Sequence, residues 1–88
     1  MFYVVYVIQS KSTNSLYVGY TKDFKRRLSE HNRGFARYTR HRGPWKAIFL
    51  ECYLHPIDAQ RREQYLKTSQ GMRFIKRMLK EYFYAAAH

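Results

Sequence analysis

The sequence predicts an α/β fold of the α+β type, in which a central three-stranded antiparallel sheet is flanked by three helices in the order β-β-α-β-α-α. Two observations predict this fold. Three segments, at residues 2–8, 16–21 and 45–54, are rich in the β-branched and aromatic residues that are typical of strands. The stretches that follow the second and third segments carry apolar residues at helical spacing. We expect one domain over residues 1–84 and a frayed tail over residues 85–88.

The first two strands form a predicted hairpin, because the polar and turn-rich residues 9–15 separate them. Side chains alternate between the two faces of a strand, so an even-length connection places Tyr6 and Tyr17 close together on one face. Gly19 lies on that face as well and leaves room beside the two rings. The hairpin is therefore expected to bring two phenol groups together.

The helix after the hairpin carries the next candidate residues. We predict Thr21 as its N-cap and Asp23 in its first turn, where a negative charge suits the helix dipole. At about 100° per residue, three residues form one stripe: Phe24, Leu28 and His31. Arg27 falls at the edge of that stripe, whereas Arg26 points to nearly the opposite side. We therefore expect Arg27 to border the core and Arg26 to be solvated.

The second half of the chain begins with a basic loop over residues 33–46, which leads into the third strand. Pro56 suits the first turn of the next helix, on which Glu63 shares a face with Ala59 and Leu66. Gly71 interrupts the helical pattern. A last helix is expected after it, with these residues on its buried side: Phe74, Ile75, Met78, Leu79, Tyr82 and Phe83.

Charge limits the classes of partner. The chain has 17 Lys and Arg against 6 Asp and Glu, a formal net charge of +11. Self-repulsion of that size opposes the compact state unless a polyanion relieves it, which predicts a nucleic-acid partner. No membrane is expected, because no apolar run approaches the roughly 20 residues of a spanning helix. Cys52 has no cysteine partner within the chain, so the expected compartment is a reducing cytoplasm.

Five side chains form a candidate site if the hairpin packs against both helices: Tyr6, Tyr17, Arg27, His31 and Glu63. Hydrolysis of a phosphodiester needs a group that takes a proton from water and a cation that offsets charge on the phosphate oxygens. It also uses a metal ion that polarises the phosphate. These five residues are sufficient for those roles.

The same residues resemble the GIY-YIG endonuclease domain, over about residues 2–79. The resemblance rests on the spacing from Tyr6 to Tyr17, the triplet Tyr17-Val18-Gly19, Arg27 and His31 on the first helix, and Glu63 within residues 58–67. The first triplet of the family's pattern reads Val4-Val5-Tyr6 and keeps only the tyrosine. The family's fold is a small α/β domain with a central three-stranded antiparallel sheet, in agreement with the fold predicted above.

The resemblance implies a DNA endonuclease that uses a single metal ion and acts in DNA repair or recombination. Tyr17 or Tyr6 would help to deprotonate the attacking water, and Arg27 would stabilise the phosphate. His31 would assist proton transfer or orient a tyrosine. Glu63 would bind Mg²⁺ or Mn²⁺, weakly in the absence of substrate, because such ions commonly take one or two protein carboxylates and complete their shell with water and phosphate.

Further residues are candidates for supporting roles. Gly19, Tyr38 and Lys67 are expected beside the site. Basic side chains around it are candidates for contacting the DNA backbone: Lys22, Arg26, Arg33, Arg37, Arg40, Arg42 and Lys46. Substrate choice would come from the basic loop, the last helix, a protein partner or a dimer.

Alternative interpretations of these residues and of the function stay open at this point. Glu63 and Lys67 stand four residues apart in the order that forms an ion pair on an exposed helix. The two tyrosines are also ordinary sheet residues, and Arg27 with His31 could be a pair at the edge of the core. The alternative function is a nucleic-acid-binding module that keeps the fold and cleaves poorly.

Overall fold

Strand β1 (Tyr3–Ser10) is the centre of the sheet. It pairs antiparallel with β2 (Leu16–Thr21) on one side and with β3 (Trp45–Tyr53) on the other, which gives the strand order β2-β1-β3. The computed structural model describes residues 1–87. The predicted three-stranded antiparallel sheet is confirmed, and β3 ends one residue earlier than the sequence predicts.

Both faces of β1 are buried, so the sheet has a hydrophobic core on each side. One core contains Val5 and Val7 of β1 together with buried residues of β2 and two helices: Val18, Ala59, Leu66 and Ile75. The opposite core contains four buried residues: Val4, Tyr6, Ile8 and Trp45. The continuous apolar composition of β1 is explained by this position, because a strand covered on both faces has no side for polar residues.

Helices cover the two faces unequally. Helix α1 (Phe24–Asn32) packs Phe24 and Leu28 onto the Tyr6 face. Helices α2 (Pro56–Leu66) and α3 (Ser69–Met78) cover the other face, and α4 (Lys80–Ala87) follows. Within residues 1–87, none of these helices is long and apolar enough to cross a membrane. The predicted α+β class is confirmed.

The last predicted helix is in fact two helices, so the order is β-β-α-β-α-α-α. The interruption lies at Leu79, whose φ of −105° and ψ of 29° depart from helical values. Tyr82 of α4 then donates a hydrogen bond to the side-chain oxygen of Gln9, which ties this helix to β1. The tail predicted to be frayed is helical through Ala87, and His88 lies outside the described residues.

Two predicted helix boundaries need correction. Asp23, and not Thr21, is the N-cap of α1, because its carboxylate accepts a hydrogen bond from the backbone N–H of Arg26. Thr21 stabilises the turn before the helix, since its hydroxyl accepts a hydrogen bond from the backbone N–H of Asp23. Gly71 lies inside α3 and does not interrupt a helix; the chain turns at Thr68, whose side chain caps α3.

Gly71 marks the closest approach between α2 and α3. A Cβ atom at this position would lie 2.0 Å from the carbonyl oxygen of Tyr65 and 2.5 Å from the Cα of Leu66. Both are backbone atoms of the preceding helix and cannot move aside as a flexible side chain would. Only glycine fits at position 71, and its lack of a side chain allows α3 to pack closely against α2.

We predict that Gly71→Ala destabilises the protein by about 3 kcal/mol or more, since overpacking against backbone exceeds the gain of about 1 kcal/mol in helix propensity. The measurement is the free energy of unfolding in urea. Gly43→Ala is the control, because its Cβ would lie 3.5 Å from the nearest heavy atom, an ordinary contact. Equal stability of the two variants would contradict this packing.

Candidate active site

The centre of the site is the phenol of Tyr6, whose residue is 1% exposed. In the hairpin register Tyr6 lies opposite Gly19, and Ile8 lies opposite Tyr17. A Cβ atom on residue 19 would lie 2.2 Å from the Tyr6 hydroxyl and 2.3 Å from its Cζ. The predicted proximity of the two tyrosines and the space left by Gly19 are both present: the ring of Tyr6 occupies that space.

His31 connects the hairpin to α1. Its Nε2 lies 2.8 Å from the hydroxyl of Tyr6, and its Nδ1 lies 2.6 Å from the hydroxyl of Thr39. The ring of Tyr17 lies 5.2 Å from the imidazole, in an edge-on arrangement. His31 is 1% exposed, so it is a buried polar residue whose two ring nitrogens are both paired.

Arg27 borders the same cluster, as helical phase predicts. Its side chain is 34% exposed, compared with 71% for Arg26. The guanidinium donates to the carboxylate of Glu30 at 2.9 Å and also acts on Tyr6 as a nearby positive charge. Glu30 therefore holds Arg27 in place from the same helix while one side of the guanidinium remains directed at the tyrosine.

Burial dominates the electrostatics of the cluster. It raises the pKa of Tyr6 to about 12, although the neighbouring Arg27 partly counteracts it. Burial, together with the positive charge of Arg27, also lowers the pKa of His31 to about 4. At neutral pH both Tyr6 and His31 are therefore uncharged, and Arg27 is the charged member of this group.

Glu63 comes to the cluster from α2, the helix on the opposite face of the sheet. Its side chain is 19% exposed, and its negative charge contributes to the raised pKa of Tyr6. Lys67, one turn later, pairs with Glu63 at 3.2 Å, and its Nζ lies 5.9 Å from the ring centre of Tyr17. The ion pair between Glu63 and Lys67 is present, and the charge of Glu63 also acts on Tyr6; its role as a metal ligand stays a prediction.

A groove of about 370 Å³ opens at the β2 edge of the sheet. Its lining includes three residues already placed at the site: Tyr17, Tyr38 and Lys67. A larger groove of about 570 Å³ lies elsewhere, between the hairpin turn and α4, and none of the candidate site residues lines it. Tyr17 is therefore the member of the five-residue candidate site that lines the smaller groove.

The donor set suits a hard divalent ion only in part. Within residues 1–87 no three His, Cys, Asp or Glu side chains form a group that could hold a metal ion. One half-buried carboxylate, Glu63, is nevertheless what Mg²⁺ often takes from a protein, with water and substrate phosphate completing the shell. Glu63 would be the protein ligand of such an ion.

The basic loop lies beside the groove and is exposed. Its cations at positions 33, 37, 40 and 42 are all at the surface, as is Lys46, which lies in β3. Arg42 donates to the carbonyl of Tyr38, and Arg33 and Arg37 lie over the rings of Phe35 and Tyr38. Both rings are exposed, at 65% and 68%. Lys22 and Lys46 instead lie over the rings of Tyr3 and Tyr82.

Comparison with known proteins decides the family. The family model of the GIY-YIG catalytic domain matches residues 2–74, most of the chain. The chain belongs to the GIY-YIG family. Membership in this family identifies it with the nucleases, in agreement with the resemblance read from the sequence.

Relatives of this GIY-YIG chain, and a solved structure that is similar to it, are UPF0213 proteins. A UPF0213 protein of Clostridium perfringens is 42% identical over 64 residues, which cover 72% of this chain and 68% of the relative. A UPF0213 protein of Staphylococcus aureus is 40% identical over 76 residues, covering 82% and 92%. The solution NMR structure of the UPF0213 protein from Bacillus halodurans has a TM-score of 0.56 and 31% identity, covering 89% of this chain and 85% of that one.

Sequence reasoning missed two residues that pair with members of the candidate site. Thr39 pairs with His31 from within the basic loop, and Glu30 pairs with Arg27 from within α1. The three-residue spacing of Arg27 and Glu30 on one helix was a usable signal. No periodic pattern exists in the loop, so the position of Thr39 was not available from sequence.

We predict a loss of stability in acid that comes from His31. Its pKa in the folded state is about 4, against 6.5 ordinarily. The unfolded chain therefore binds a proton between these pH values that the folded protein does not. Stability is complete above pH 6.5 and falls by up to about 3 kcal/mol as the pH approaches 4. Urea unfolding at pH 7 and pH 4 measures the loss.

His31→Gln is the control for this pH dependence, because the variant keeps a polar group at the position but has no proton to gain. Asp and Glu groups titrate in both proteins, so their contribution cancels in the comparison. The loss between pH 7 and pH 4 should be smaller in His31→Gln. An equal loss in both proteins would show that His31 does not carry the effect.

Proposed function

We propose that this chain is a metal-dependent DNA endonuclease that hydrolyses phosphodiester bonds in the groove at the β2 edge. The observation that carries the proposal is the convergence of Tyr6, Tyr17, Arg27 and His31 on one partly buried cluster, in which the charge of Glu63 also acts on Tyr6. The cluster combines phenols, a cation and a carboxylate, which are the groups that this hydrolysis requires.

Tyr17 is the better candidate for the residue that accepts a proton from water. Burial raises the pKa of Tyr6 to about 12, so its phenolate is scarce at neutral pH. Tyr17 is half-buried and lines the groove, where a water molecule and a phosphate have access. In its phenolate form Tyr17 would accept the proton, while Tyr6 would hold its own and contribute a hydrogen bond.

Arg27 and Glu63 have complementary roles in the proposal. Arg27 carries a fixed positive charge at the edge of the cluster, where it would offset charge that builds on the phosphate oxygens. Glu63 would hold Mg²⁺ or Mn²⁺, which when bound polarises the phosphate. The pair with Lys67 must then open, which is inexpensive because the Lys67 side chain is 50% exposed.

DNA binding is proposed for the basic loop and its neighbours. The exposed arginines would contact phosphates, and the exposed rings of Phe35 and Tyr38 would stack on bases near the groove. Arg26 and Lys22 would extend this surface along α1. We place the activity in cytoplasmic DNA repair or recombination, on structured or damaged DNA, with a protein partner or a dimer contributing to substrate choice.

One observation favours the second candidate, a nucleic-acid-binding module that cleaves poorly. Lys67 neutralises Glu63, the one carboxylate offered to a metal in this cluster. A protein that kept this ion pair when DNA bound would have the binding surface without the metal. Cleavage assays with metal separate the two functions.

We predict that Glu63→Gln lowers metal-dependent nicking at least about a hundredfold, because the charge that holds the ion is lost and metal stabilisation of the phosphate is worth several kcal/mol. Supercoiled plasmid and a panel of duplex, single-stranded, flap and four-way DNA, each with Mg²⁺ or Mn²⁺, are the substrates. Glu81→Gln, an identical charge change at an exposed site on α4, should leave activity unchanged.

Cleavage that survives Glu63→Gln in highly purified, folded protein would contradict this metal site. Cleavage that is absent from the unmodified protein on every substrate, with DNA binding retained, would favour the binding module.

We predict that the basic loop sets the salt dependence of DNA binding. Arg40 is exposed and makes no hydrogen bond or ion pair with the rest of the described chain. If it neutralises one phosphate, Arg40→Gln should reduce the slope of log affinity against log salt by about 0.9 on duplex DNA. Fluorescence anisotropy measures the slope between about 50 and 200 mM salt, a range over which such affinities change strongly.

Arg61→Gln is the control for the salt experiment. Arg61 is also exposed, but it lies on α2 and pairs with Asp58. Its substitution should change the slope by less than that of Arg40. Equal slopes in the two variants would show that the loop has no special contact with DNA.

A further inference from the structure

Three buried groups form one hydrogen-bonded chain across the site. The hydroxyl of Tyr6, the imidazole of His31 and the hydroxyl of Thr39 are joined at 2.8 Å and 2.6 Å. These residues are 1%, 1% and 0% exposed. They come from β1, α1 and the basic loop, so the chain connects the centre of the sheet to the segment proposed to contact DNA.

The number of protons shared by Tyr6, His31 and Thr39 limits the possible directions of their two hydrogen bonds. His31 is neutral at neutral pH, because burial and the charge of Arg27 lower its pKa to about 4. A neutral imidazole has one N–H, so the chain has three protons for two hydrogen bonds. One proton is therefore left over, and it belongs either to Tyr6 or to Thr39.

The two ends of the chain differ in what can accept that remaining proton. Within residues 1–87, the Thr39 hydroxyl has no hydrogen-bond partner except Nδ1 of His31. The Thr39 backbone is occupied as well, because its N–H donates to Ala36 and its carbonyl accepts from the indole of Trp45 at 3.0 Å. A hydroxyl proton buried there without an acceptor would be costly.

The Tyr6 end is different, because it faces other polar groups. The charges of Tyr17 and Glu63 both act on the Tyr6 phenol. Tyr17 also lines the groove, so a proton on this end has the Tyr17 oxygen and the oxygen atoms of a bound substrate as candidate acceptors. This difference between the two ends favours hydrogen bonds that run from Thr39 through His31 to Tyr6.

We infer that Thr39 is a positioning residue that sets the tautomer of His31. The Thr39 hydroxyl donates to Nδ1, so the ring proton resides on Nε2 and is donated to the oxygen of Tyr6. The proton of Tyr6 is then directed toward Tyr17 and the groove.

This arrangement gives Tyr6 a defined role, which rests on the proposed nuclease function. A Tyr6 hydroxyl that donates toward the groove stabilises a phenolate on Tyr17 or an oxygen of the scissile phosphate. The reversed arrangement would direct the Tyr6 proton into His31, and the Tyr6 hydroxyl would then donate nothing toward the groove. Thr39 would affect catalysis in this way without touching the substrate.

Nitrogen NMR of the unmodified protein tests the assignment directly. Long-range ¹H–¹⁵N spectra of protein labelled at histidine distinguish a protonated ring nitrogen from an unprotonated one, and His31→Gln identifies the His31 signals. We expect Nε2 protonated and Nδ1 unprotonated at pH 7. A protonated Nδ1 in His31 would overturn the inference.

Substitution of Thr39 tests the positioning role. Thr39→Val removes the donor at nearly constant volume, so the ring proton should move to Nδ1 in part or completely. The kcat for cleavage should fall at least about tenfold, the scale typical of groups that orient a catalytic residue, with KM within about twofold. Thr39→Ser should restore both the tautomer and the rate, and Thr13→Val in the exposed hairpin turn should change neither.

The outcomes separate this inference from the proposed function. An unchanged tautomer in folded Thr39→Val, or a changed tautomer with unchanged kcat, would overturn the positioning role. If the unmodified protein cleaved no DNA but showed the Nε2-protonated ring, the endonuclease proposal would fail and the assignment of the proton would stand. If Thr39→Val did not fold, the spectrum of the unmodified protein and the Thr39→Ser variant would still decide the inference.

Discussion

The two-sided burial of β1 is the constraint on which the rest of this small protein depends. A strand covered on both faces contributes apolar residues to two cores at once, which gives 88 residues enough buried surface without disulfides. It also means that a polar atom on β1 must find a partner inside the protein. The hydroxyl of Tyr6 is such an atom, and its partner is His31. The hydrogen bond between Tyr6 and His31, at the centre of the candidate site, is therefore also needed to satisfy a polar group in the core.

The same constraint explains the residues around the phenol. Gly19 has no side chain because the ring of Tyr6 occupies that volume. His31 is neutral because it is buried beside Arg27. A site built in this way has little freedom to rearrange, since each polar group is also part of the packing. Rigid placement of this kind is what electrostatic stabilisation of a transition state requires.

Local patterns predicted the parts of the structure that depend on local geometry. Alternation in the hairpin placed Tyr6 with Tyr17, and helical phase separated Arg27 from Arg26, because both periods are fixed by the backbone. The prediction of Thr21 as the N-cap of α1 was wrong because Thr21 and Asp23 are both good capping residues and stand two positions apart. The break between α3 and α4 at Leu79 was not predicted, because no glycine or proline marks it in the sequence. Thr39 was missed because its contact with His31 depends on how a loop without periodicity folds.

The pairing of the few acidic residues leaves the protein with an uneven distribution of free charge. Glu30, Glu51, Asp58 and Glu63 each pair with a cation on a helix or at its C-cap. Within residues 1–87, the cations of the basic loop have no such partner, and hydrogen bonds of Trp45 to Asn32 and Thr39 hold that loop instead. Raising the ionic strength should therefore have opposite effects on the two states of the protein. It would relieve self-repulsion in the free chain while it weakens the complex with a polyanion. The conditions under which this protein is easiest to handle are then the conditions under which its binding is hardest to detect.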